Sequence, residues 1–426
     1  MVLIVFSLVA ALAAGCSGLG GSGQPSSTTS GDTISGTTPG TTPGASSTTT
    51  NSAGPSTSTT ITTLSPAQAI LGRMTLREKA AQVLLLAFDG TTVLPDTEQL
   101  LTDAPPGGFL LFTRNVTGAD QLRSLTAGLQ VGAAANGAGI GLFIAVDQEG
   151  GTVQRINVDV PFVPSARMLG EQSSPTEVAR MAAETATGLL ALGVNMNLAP
   201  VADVVSDPTS FLYRRSFSGD PTIVSRYVRA VTRSYEDNGL IAVVKHFPGH
   251  GSAAGDSHDS VVVSKAGEAE FATIHLPPFK AAMAEGAEGV LMAHVIVRAY
   301  DPLWPASSSA AIIQGLLREG LGFSGLVVAD DVEMVAAAAT GAEAGGQATP
   351  STSNGAATVV DPGEVAVREL AAGCDLLIST GTIARQKAML EAIVKALETG
   401  RLPAERLDDA VLRVLETKLR HRLVSP

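Results

Sequence analysis

The chain has 426 residues, of which 45% are hydrophobic and 16% charged, and its formal net charge is −12 at pH 7. This length suffices for one large domain or two medium ones with a sizeable buried core. The acidic balance and the lack of a long basic run argue against nucleic acid as a partner, because phosphate binding needs clustered Lys and Arg. Such a surface is compatible with neutral, sugar-like substrates.

The first sixteen residues form a continuous run of apolar and small side chains that ends in Leu12-Ala13-Ala14-Gly15-Cys16. The run is too short to span a bilayer as a mature helix and is typical of a signal peptide. Its end resembles a bacterial lipobox, in which Cys16 is acylated. We therefore expect residues 1–16 to be a lipoprotein signal peptide, with the protein exported and lipid-anchored on the outer face of the cell membrane. An ordinary secretory signal cut nearby would give the same export.

Residues 17–64 consist almost wholly of Ser, Thr, Gly and Pro, with Asp32 as the only charged side chain. Such a composition buries too little apolar surface to fold, so we predict a disordered linker. The folded part of the protein is therefore expected to be residues 65–426, as one domain.

From Ser65 onward, short apolar runs alternate with amphipathic stretches of helical period. Eight strands, each followed by a helix, predict a closed (β/α)₈ barrel, with a doubly wound open sheet as the alternative. Residues from Ala336 to about Pro362 interrupt this pattern and are predicted to form an extended loop at the barrel mouth. The eight predicted strands are Gln82–Phe88, Gly108–Phe112, Gly141–Val146, Gly193–Asn197, Ile241–Val244, Gly289–Met292, Gly325–Ala329 and Cys374–Ile378.

Polar side chains follow most of these strands, and in a barrel the carboxyl ends of all strands meet at the face where active sites are built. The longest such stretch runs from Lys245 to His258 and holds three of the six histidines. A loop so rich in Gly is expected to bury little, so packing does not explain the clustering. The polar residues at strand exits are Asp147, Arg155, Asn197, Asp203, Arg214, Arg215, Lys245, His246, His294, Asp330 and Asp331.

Four motifs, in order along the chain, resemble those of the β-N-acetylhexosaminidase branch of the family 3 glycoside hydrolases. They are Val146–Gly151 with Val153-Gln154-Arg155, Arg215-Ser216-Phe217, Lys245-His246-Phe247-Pro248-Gly249-His250-Gly251 followed by Asp256-Ser257-His258, and Leu326–Asp331. The resemblance covers about Pro66 to Leu423. It implies a (β/α)₈ barrel and retaining hydrolysis through a covalent glycosyl-enzyme, without a metal or cofactor.

The resemblance also implies the roles of individual residues. Asp330 would be the nucleophile, and His258, oriented by Asp256, would protonate the leaving group. Physically, a carboxylate that holds one imidazole nitrogen leaves the other to exchange protons near neutral pH. The substrate-binding side chains would be Asp147, Arg155, Arg215, Lys245 and His246.

The expected substrate is a glycan fragment with terminal β-linked N-acetylglucosamine, derived from peptidoglycan, and we expect a monomer. Three alternatives stay open: a β-glucosidase or other exo-glycosidase of the same family, a non-catalytic sugar-binding lipoprotein, and a metal site formed by His246, His250, Asp256 and His258. Against the metal site, Pro248 and the glycine after it exclude a helix that would place both histidines on one face.

Overall fold

The computed structural model describes residues 64–253, 255–257, 260–339 and 361–425. The predicted signal peptide with Cys16, nearly all of the predicted linker and most of the predicted 336–362 loop lie outside the described residues. His258, the predicted proton donor, also lies outside them. The described residues fall within one compact unit, Thr62–Pro426.

Eight short parallel strands close into a barrel, each paired with the next, in the order β1, β2, β3, β6, β7, β9, β11 and β12. The predicted (β/α)₈ barrel is thereby confirmed. Two small two-stranded sheets, β4 with β5 and β8 with β10, lie outside the barrel. The strands are β1 Leu84–Ala87, β2 Gly108–Leu111, β3 Phe143–Val146, β4 Gln148–Gly150, β5 Val153–Gln154, β6 Met196–Asn197, β7 Ile241–Phe247, β8 Val262–Ser264, β9 Gly289–Met292, β10 Val295–Val297, β11 Leu326–Ala329 and β12 Leu376–Ser379.

Several helices begin where the sequence supplies a capping side chain. Ser174 and Glu177 form a capping box at the start of one helix, and Thr75 and Glu78 form another, each satisfying backbone N–H groups that lack helical partners. No helix in the described ranges is long and apolar enough to cross a membrane. The helices are α1 Pro66–Leu71, α2 Leu76–Gln82, α3 Pro95–Asp103, α4 Ala119–Ala134, α5 Ala166–Gln172, α6 Pro175–Ala191, α7 Pro221–Asp237, α8 Glu268–Glu270, α9 Leu276–Ala284, α10 Pro362–Ala372, α11 Ile383–Glu398 and α12 Ala404–Arg420, with π-helical segments at Phe271–His275 and Ala311–Gly320.

The hydrophobic core has two layers, because side chains alternate between the two faces of each strand. Leu85 of β1, Leu110 of β2 and Val243 of β7 point into the barrel and fill its interior. Leu84 and Val244 point outward and pack under the helices. The filled interior closes the barrel below its carboxyl end, so the polar strand ends above it are left to form a site.

Strand β7 is longer than the predicted Ile241–Val244, since it continues through Lys245 and His246 to Phe247. The loop after it is also far more buried than its glycines suggested, and His250 is 2% exposed. A Cβ on Gly251 would lie 2.3 Å from the carbonyl oxygen of Val204, so glycine is what lets this loop pack closely. The expectation of a loosely buried loop was wrong because the absent side chains permit close packing.

Candidate active site

A cavity of about 610 Å³ opens at the carboxyl ends of the barrel strands. Its floor is apolar and its walls carry acidic and basic groups. Such a combination suits a sugar ring, which has apolar faces and a polar edge. The apolar lining is Leu110, Phe112, Val153, Leu198, Leu291, Met334 and Ile378, and the polar lining is Asp89, Arg114, Asp147, Glu149, Arg155, Arg215, Lys245, His246, Asp330, Asp331 and Thr380.

Lys245 is the centre of a buried ion cluster on one wall. Its Nζ lies 2.5 Å from Asp147 Oδ1 and 2.7 Å from Glu149 Oε1. Arg215 binds the same glutamate through two bonds, Nε to Oε2 at 2.8 Å and Nη2 to Oε1 at 2.7 Å. Burial acts to raise the pKa of Glu149, but Lys245 and Arg215 outweigh it and lower that pKa well below its usual value. Glu149, Lys245 and Arg215 are therefore charged, and the cluster offers donors and acceptors to sugar hydroxyls.

The imidazole of His246 is oriented by a buried carboxylate. The chain after β6 runs beside β7, with Ala202 N–H donating to the Lys245 carbonyl at 2.6 Å. Asp203 is thereby brought to His246, and its Oδ2 lies 2.7 Å from Nδ1. Its Oδ1 accepts from the backbone N–H of His250 at 2.6 Å. Nδ1–H therefore points to the carboxylate, and Nε2 is left near the cavity, 3.4 Å from an Arg215 nitrogen.

Arg155 reaches the cavity from the segment after β5. Its guanidinium lies 5.8 Å from the centre of the Phe112 ring. Its Nε is buried without a hydrogen-bond partner among the described residues. Because a buried N–H without a partner is costly, this group is well placed to bind an oxygen of the substrate.

Asp330 directly follows β11 and lines the cavity. Its Oδ1 accepts from the backbone N–H of Asp331 at 2.9 Å. Burial by itself would raise the pKa of Asp330, but His294, His246, this N–H and Lys245 together lower it. At neutral pH the side chain is therefore a carboxylate, which is the form that a nucleophile needs.

Asp331 also borders the cavity, but its side chain makes different contacts from that of Asp330. Its carboxylate accepts from the backbone N–H groups of Glu333 and Thr380, each at 3.1 Å, and from the Thr380 hydroxyl. These bonds join the ends of β11 and β12. Its oxygens are thus engaged in holding the backbone, whereas Asp330 faces the cavity.

The loop that carries the predicted proton donor is tied to the cavity wall through His250. The Nε2 of that histidine lies 3.1 Å from the hydroxyl of Ser257, which is 3% exposed. Asp256, the predicted partner of His258, precedes this serine, and its carbonyl accepts from the backbone N–H of Ser260 at 3.2 Å. The loop is therefore tied down at Ser257, and the bond between Ser260 and Asp256 is a local contact within it.

The structure brings together Asp147, Arg155, Arg215, Lys245, His246 and Asp330 at one cavity, as the sequence predicts for their strands. Sequence reasoning missed several lining residues, among them Asp89, Phe112 and Arg114, which follow β1 and β2, together with Met334 and Thr380. The position at a strand exit was the available signal for the first three and for Thr380. Asp203 was noted at a strand exit and Glu149 lies in the Val146–Gly151 motif, but nothing in the sequence showed which basic groups they bind.

The alternative metal site does not form among the described residues of the histidine loop, whose His246 and His250 bind Asp203 and Ser257 instead. Within the described ranges, one set has donor atoms within 4.8 Å of one another: Glu236, Glu288 and His421. It lies at the opposite end of the barrel, because Glu288 directly precedes β9. Arg420 binds Glu288 at 2.8 Å and already provides a counter-charge there.

A closed (β/α)₈ barrel with a buried carboxylate, an ion cluster and an apolar floor at its carboxyl end is the arrangement expected of a glycoside hydrolase. The profile of the glycosyl hydrolase family 3 N-terminal domain matches residues 75–417. A β-hexosaminidase of Thioalkalivibrio sulfidiphilus is 34% identical over 264 residues, which are 61% of this chain and 74% of that protein.

Two solved structures have the same fold over most of the chain. A glycoside hydrolase family 3 β-N-acetylglucosaminidase from Paenibacillus sp. str. FPU-7 has a TM-score of 0.74 and 35% identity, covering 83% of this chain and 64% of that chain. A β-N-acetylhexosaminidase from Beutenbergia cavernae has a TM-score of 0.71 and 27% identity, covering 81% of this chain and 98% of that one. This chain therefore spans slightly less than two thirds of the Paenibacillus chain.

The chain belongs to glycosyl hydrolase family 3. The family predicted from the four motifs is thereby confirmed, and the protein is a glycoside hydrolase. The names of its relatives support activity of the β-hexosaminidase type.

Proposed function

We propose that the protein is a retaining exo-β-N-acetylglucosaminidase that removes terminal β-linked N-acetylglucosamine from glycan fragments. The observation that carries the proposal is the buried carboxylate of Asp330, which lies at the end of β11 beside Lys245 and His246 in the cavity. The names of the relatives support the choice of sugar.

In the first chemical step, a carboxylate oxygen of Asp330 attacks the anomeric carbon while the bond from that carbon to the leaving-group oxygen breaks. His258 gives its proton to the departing oxygen, and Asp256 stabilises the imidazole ring. In the second step, a water oxygen attacks the same carbon, and the bond to Asp330 breaks. The water proton passes to His258, so the enzyme returns to its starting state.

The sugar is held by the groups on the cavity walls. Asp147 and Glu149 offer acceptors to its hydroxyls, and Lys245 and the Nε2 side of His246 complete the set. The unpartnered Nε of Arg155 provides a further donor. Arg215 holds Glu149 in place and completes the wall beside His246.

The natural substrate we propose is a peptidoglycan fragment that ends in N-acetylglucosamine, and the chain acts as a monomer. Cleavage of the signal peptide and acylation of Cys16 would anchor the protein to the outer face of the membrane, with residues 17–64 as a tether. Metabolic labelling with a fatty acid tests the anchor. Loss of the label in Cys16→Ser is expected, and an unlabelled wild-type protein would contradict the anchor without affecting the activity.

The decisive experiment compares aryl β-glycosides of N-acetylglucosamine and glucose, followed by trapping. We expect the N-acetylglucosaminide to be cleaved faster, because the relatives are named for that sugar. A fluorinated N-acetylglucosaminyl fluoride that slows the second step is expected to label Asp330, read by mass spectrometry of the peptides. Faster cleavage of the glucoside would contradict the proposed specificity, and a label on another residue would overturn the assignment of the nucleophile.

A second assay uses muropeptides as substrates, with product masses determined in the presence and absence of phosphate. Release of free N-acetylglucosamine under both conditions supports a hydrolase that acts on cell-wall fragments. Appearance of the sugar 1-phosphate would show that phosphate replaces water in the second step.

A further inference from the structure

Glu369 is a fully buried carboxyl group that does not line the cavity. It lies in α10, and its side chain has no exposed surface. Neither carboxyl oxygen makes a hydrogen bond of normal geometry within the described part of the chain, although the Ser307 hydroxyl is close enough to act on the pKa of the group. A buried carboxyl without a bonded partner is costly, particularly when it is charged, so this group calls for a physical explanation.

A line of polar groups leads from this carboxyl to the end of β11. Oε1 of Glu369 is 3.6 Å from Nδ1 of His294, and that nitrogen lies 2.8 Å from the hydroxyl of Ser307. The other ring nitrogen, Nε2, lies 3.0 Å from the backbone carbonyl of Asp331. The backbone N–H of Asp331 in turn donates to Asp330. The nucleophile and the buried carboxyl are thus the two ends of one chain of contacts.

The direction of the hydrogen bonds follows from what each group offers. A carbonyl oxygen accepts only, so Nε2 of His294 must carry a proton toward Asp331. Burial lowers the pKa of His294, so at neutral pH the ring is uncharged and Nδ1 is an acceptor. The hydroxyl of Ser307 then donates to Nδ1, which leaves its oxygen to accept from a donor on the far side. The Ser307 side chain lies next to the Glu369 carboxyl, so the acid form of Glu369 is the donor available there.

Burial raises the pKa of Glu369 to about 8, although Ser307 and Arg368 act to lower it. At neutral pH the group is therefore a carboxylic acid with a proton to donate. The titratable and charged groups that face it from its own helix and the elements packed around it are Arg368, Cys374, His294, Asp330 and Asp331.

We propose that Glu369 is a positioning residue for the reaction. Its acid form donates a hydrogen bond to the Ser307 hydroxyl, which fixes the tautomer and orientation of the His294 ring. That ring in turn holds the backbone of Asp331 and so positions the neighbouring nucleophile, Asp330. The inference rests on the proposed function, since it takes Asp330 as the nucleophile. Loss of the Glu369 proton would turn the Ser307 hydroxyl toward the carboxylate. His294 would then carry its proton on Nδ1. Its unprotonated Nε2 and the Asp331 carbonyl oxygen would both be acceptors, so the hydrogen bond between them would be lost.

The test is the pH dependence of kcat/KM for an aryl N-acetylglucosaminide with a strongly acidic phenol as leaving group. Such a substrate needs little protonation, which removes the contribution of His258 to the alkaline limb. We expect the wild-type enzyme to lose activity about tenfold between about pH 7 and pH 9, with a midpoint near 8. Glu369→Gln keeps a donor that does not titrate. Its kcat/KM is therefore expected to match that of wild type at pH 7 within about twofold and to show no decrease between pH 7 and pH 9.

Glu236→Gln is the matched control, because burial and the neighbouring Glu288 raise the pKa of Glu236 to about 8 as well, at the opposite end of the barrel. Its pH profile is expected to follow wild type. Glu369→Leu removes the donor while retaining bulk, and it is expected to lower kcat about tenfold or more at pH 7 with little change in KM. The proposal is overturned if the alkaline decrease in kcat/KM persists in Glu369→Gln or disappears in Glu236→Gln.

A measurement on the unmodified protein covers the case in which the variants fail to fold. Nitrogen-15 NMR of histidine-labelled enzyme is expected to show His294 with its proton on Nε2 at pH 7 and on Nδ1 above about pH 8. An unchanged tautomer across this range contradicts the proposal. Failure of the underlying function looks different, because the fluorinated sugar would then label a residue other than Asp330, whereas failure of the Glu369 role leaves that label in place.

Discussion

At the scale of single residues, the two neighbouring aspartates at the end of β11 differ in environment. Asp330 is surrounded by groups that lower its pKa, whereas burial raises the pKa of Asp331, despite its bonds to Thr380 and Glu333. The first is therefore kept ionised toward the cavity and the second is engaged by backbone. The adjacent carboxyls are thus suited to different tasks, one to attack and one to hold β11 and β12 together.

Replacing Asp330 by Asn is expected to lower kcat by at least about a thousandfold, because a neutral amide does not form the glycosyl-enzyme. Binding of N-acetylglucosamine, measured by calorimetry, should change little, since other side chains hold the sugar. Asp408→Asn, in α12 and away from the cavity, where the carboxylate pairs with Lys79 of α2, is the control and should retain activity. An Asp330→Asn enzyme that still turns over near the wild-type rate would refute the assignment.

The ion cluster around Glu149 is the second residue-scale feature. The side chains of Glu149 and Lys245 are 4% and 3% exposed, and that of Arg215 is 16% exposed. Removing one partner of such a buried set leaves the other charges without compensation. Because the pKa of Glu149 is lowered, its contribution to stability is present above the usual pKa of a glutamate and is lost only in strong acid.

Glu149→Gln is expected to lower the free energy of unfolding by about 3 kcal/mol, because the buried charges of Lys245 and Arg215 are then left with only the partly exposed carboxylate of Asp147 in the cluster. Urea denaturation at neutral pH measures this. The control is Glu184→Gln, which breaks the exposed pair of Glu184 with Arg180 on α6 and should cost less than about 1 kcal/mol. Equal losses in the two variants would contradict a special role for the buried cluster.

At the scale of elements, the loop after β7 combines a buried base with a more exposed tip. His250 and Ser257 anchor it, while residues 255 and 260 are exposed. Gly249 has a φ of +132°, a conformation that favours glycine, and a Cβ there would lie 2.7 Å from the Cβ of His275. The glycines near the base are therefore explained by packing, and movement of the tip over the substrate stays a hypothesis.

His258→Ala is expected to slow cleavage of a natural disaccharide at least about a hundredfold, because its alkoxide leaving group needs a proton. For an aryl glycoside with a good leaving group, the loss in kcat/KM should be much smaller. His421→Ala, at the opposite end of the barrel, should show no such dependence on leaving group. Equal losses on both substrates in His258→Ala would rule out the proposed acid role.

At the scale of the whole molecule, the cavity with Asp330 lies within the barrel domain. Every lining residue of the cavity falls between Asp89 and Thr380, and the described residues belong to one compact unit. The domain boundary proposed at residues 64 and 65 therefore predicts that the preceding chain contributes nothing to catalysis.

A chain that begins at Leu64 is expected to fold and to retain kcat and KM for the aryl N-acetylglucosaminide within about twofold of the full-length protein. Thermal unfolding of the two proteins should coincide within a few degrees. A large rise in KM on truncation would show that the preceding segment takes part in binding.

The sequence by itself was sufficient for the barrel, because alternating apolar runs and amphipathic helices are local patterns that repeat eight times. It was also sufficient to predict the family and to place Asp330 at the end of a barrel strand, because motifs are local in the sequence. It misjudged the end of β7, where Lys245 and His246 look like loop residues until the charges beside them are known.

Only the tertiary structure decided which groups bind one another. Lys245 meets Asp147 across 98 positions of sequence, and His246 meets Asp203 across 43. The same holds for the line from Glu369 through His294 to Asp330, whose members come from four separate segments. Side-chain pairing depends on distances set by barrel closure, and no local pattern encodes those distances.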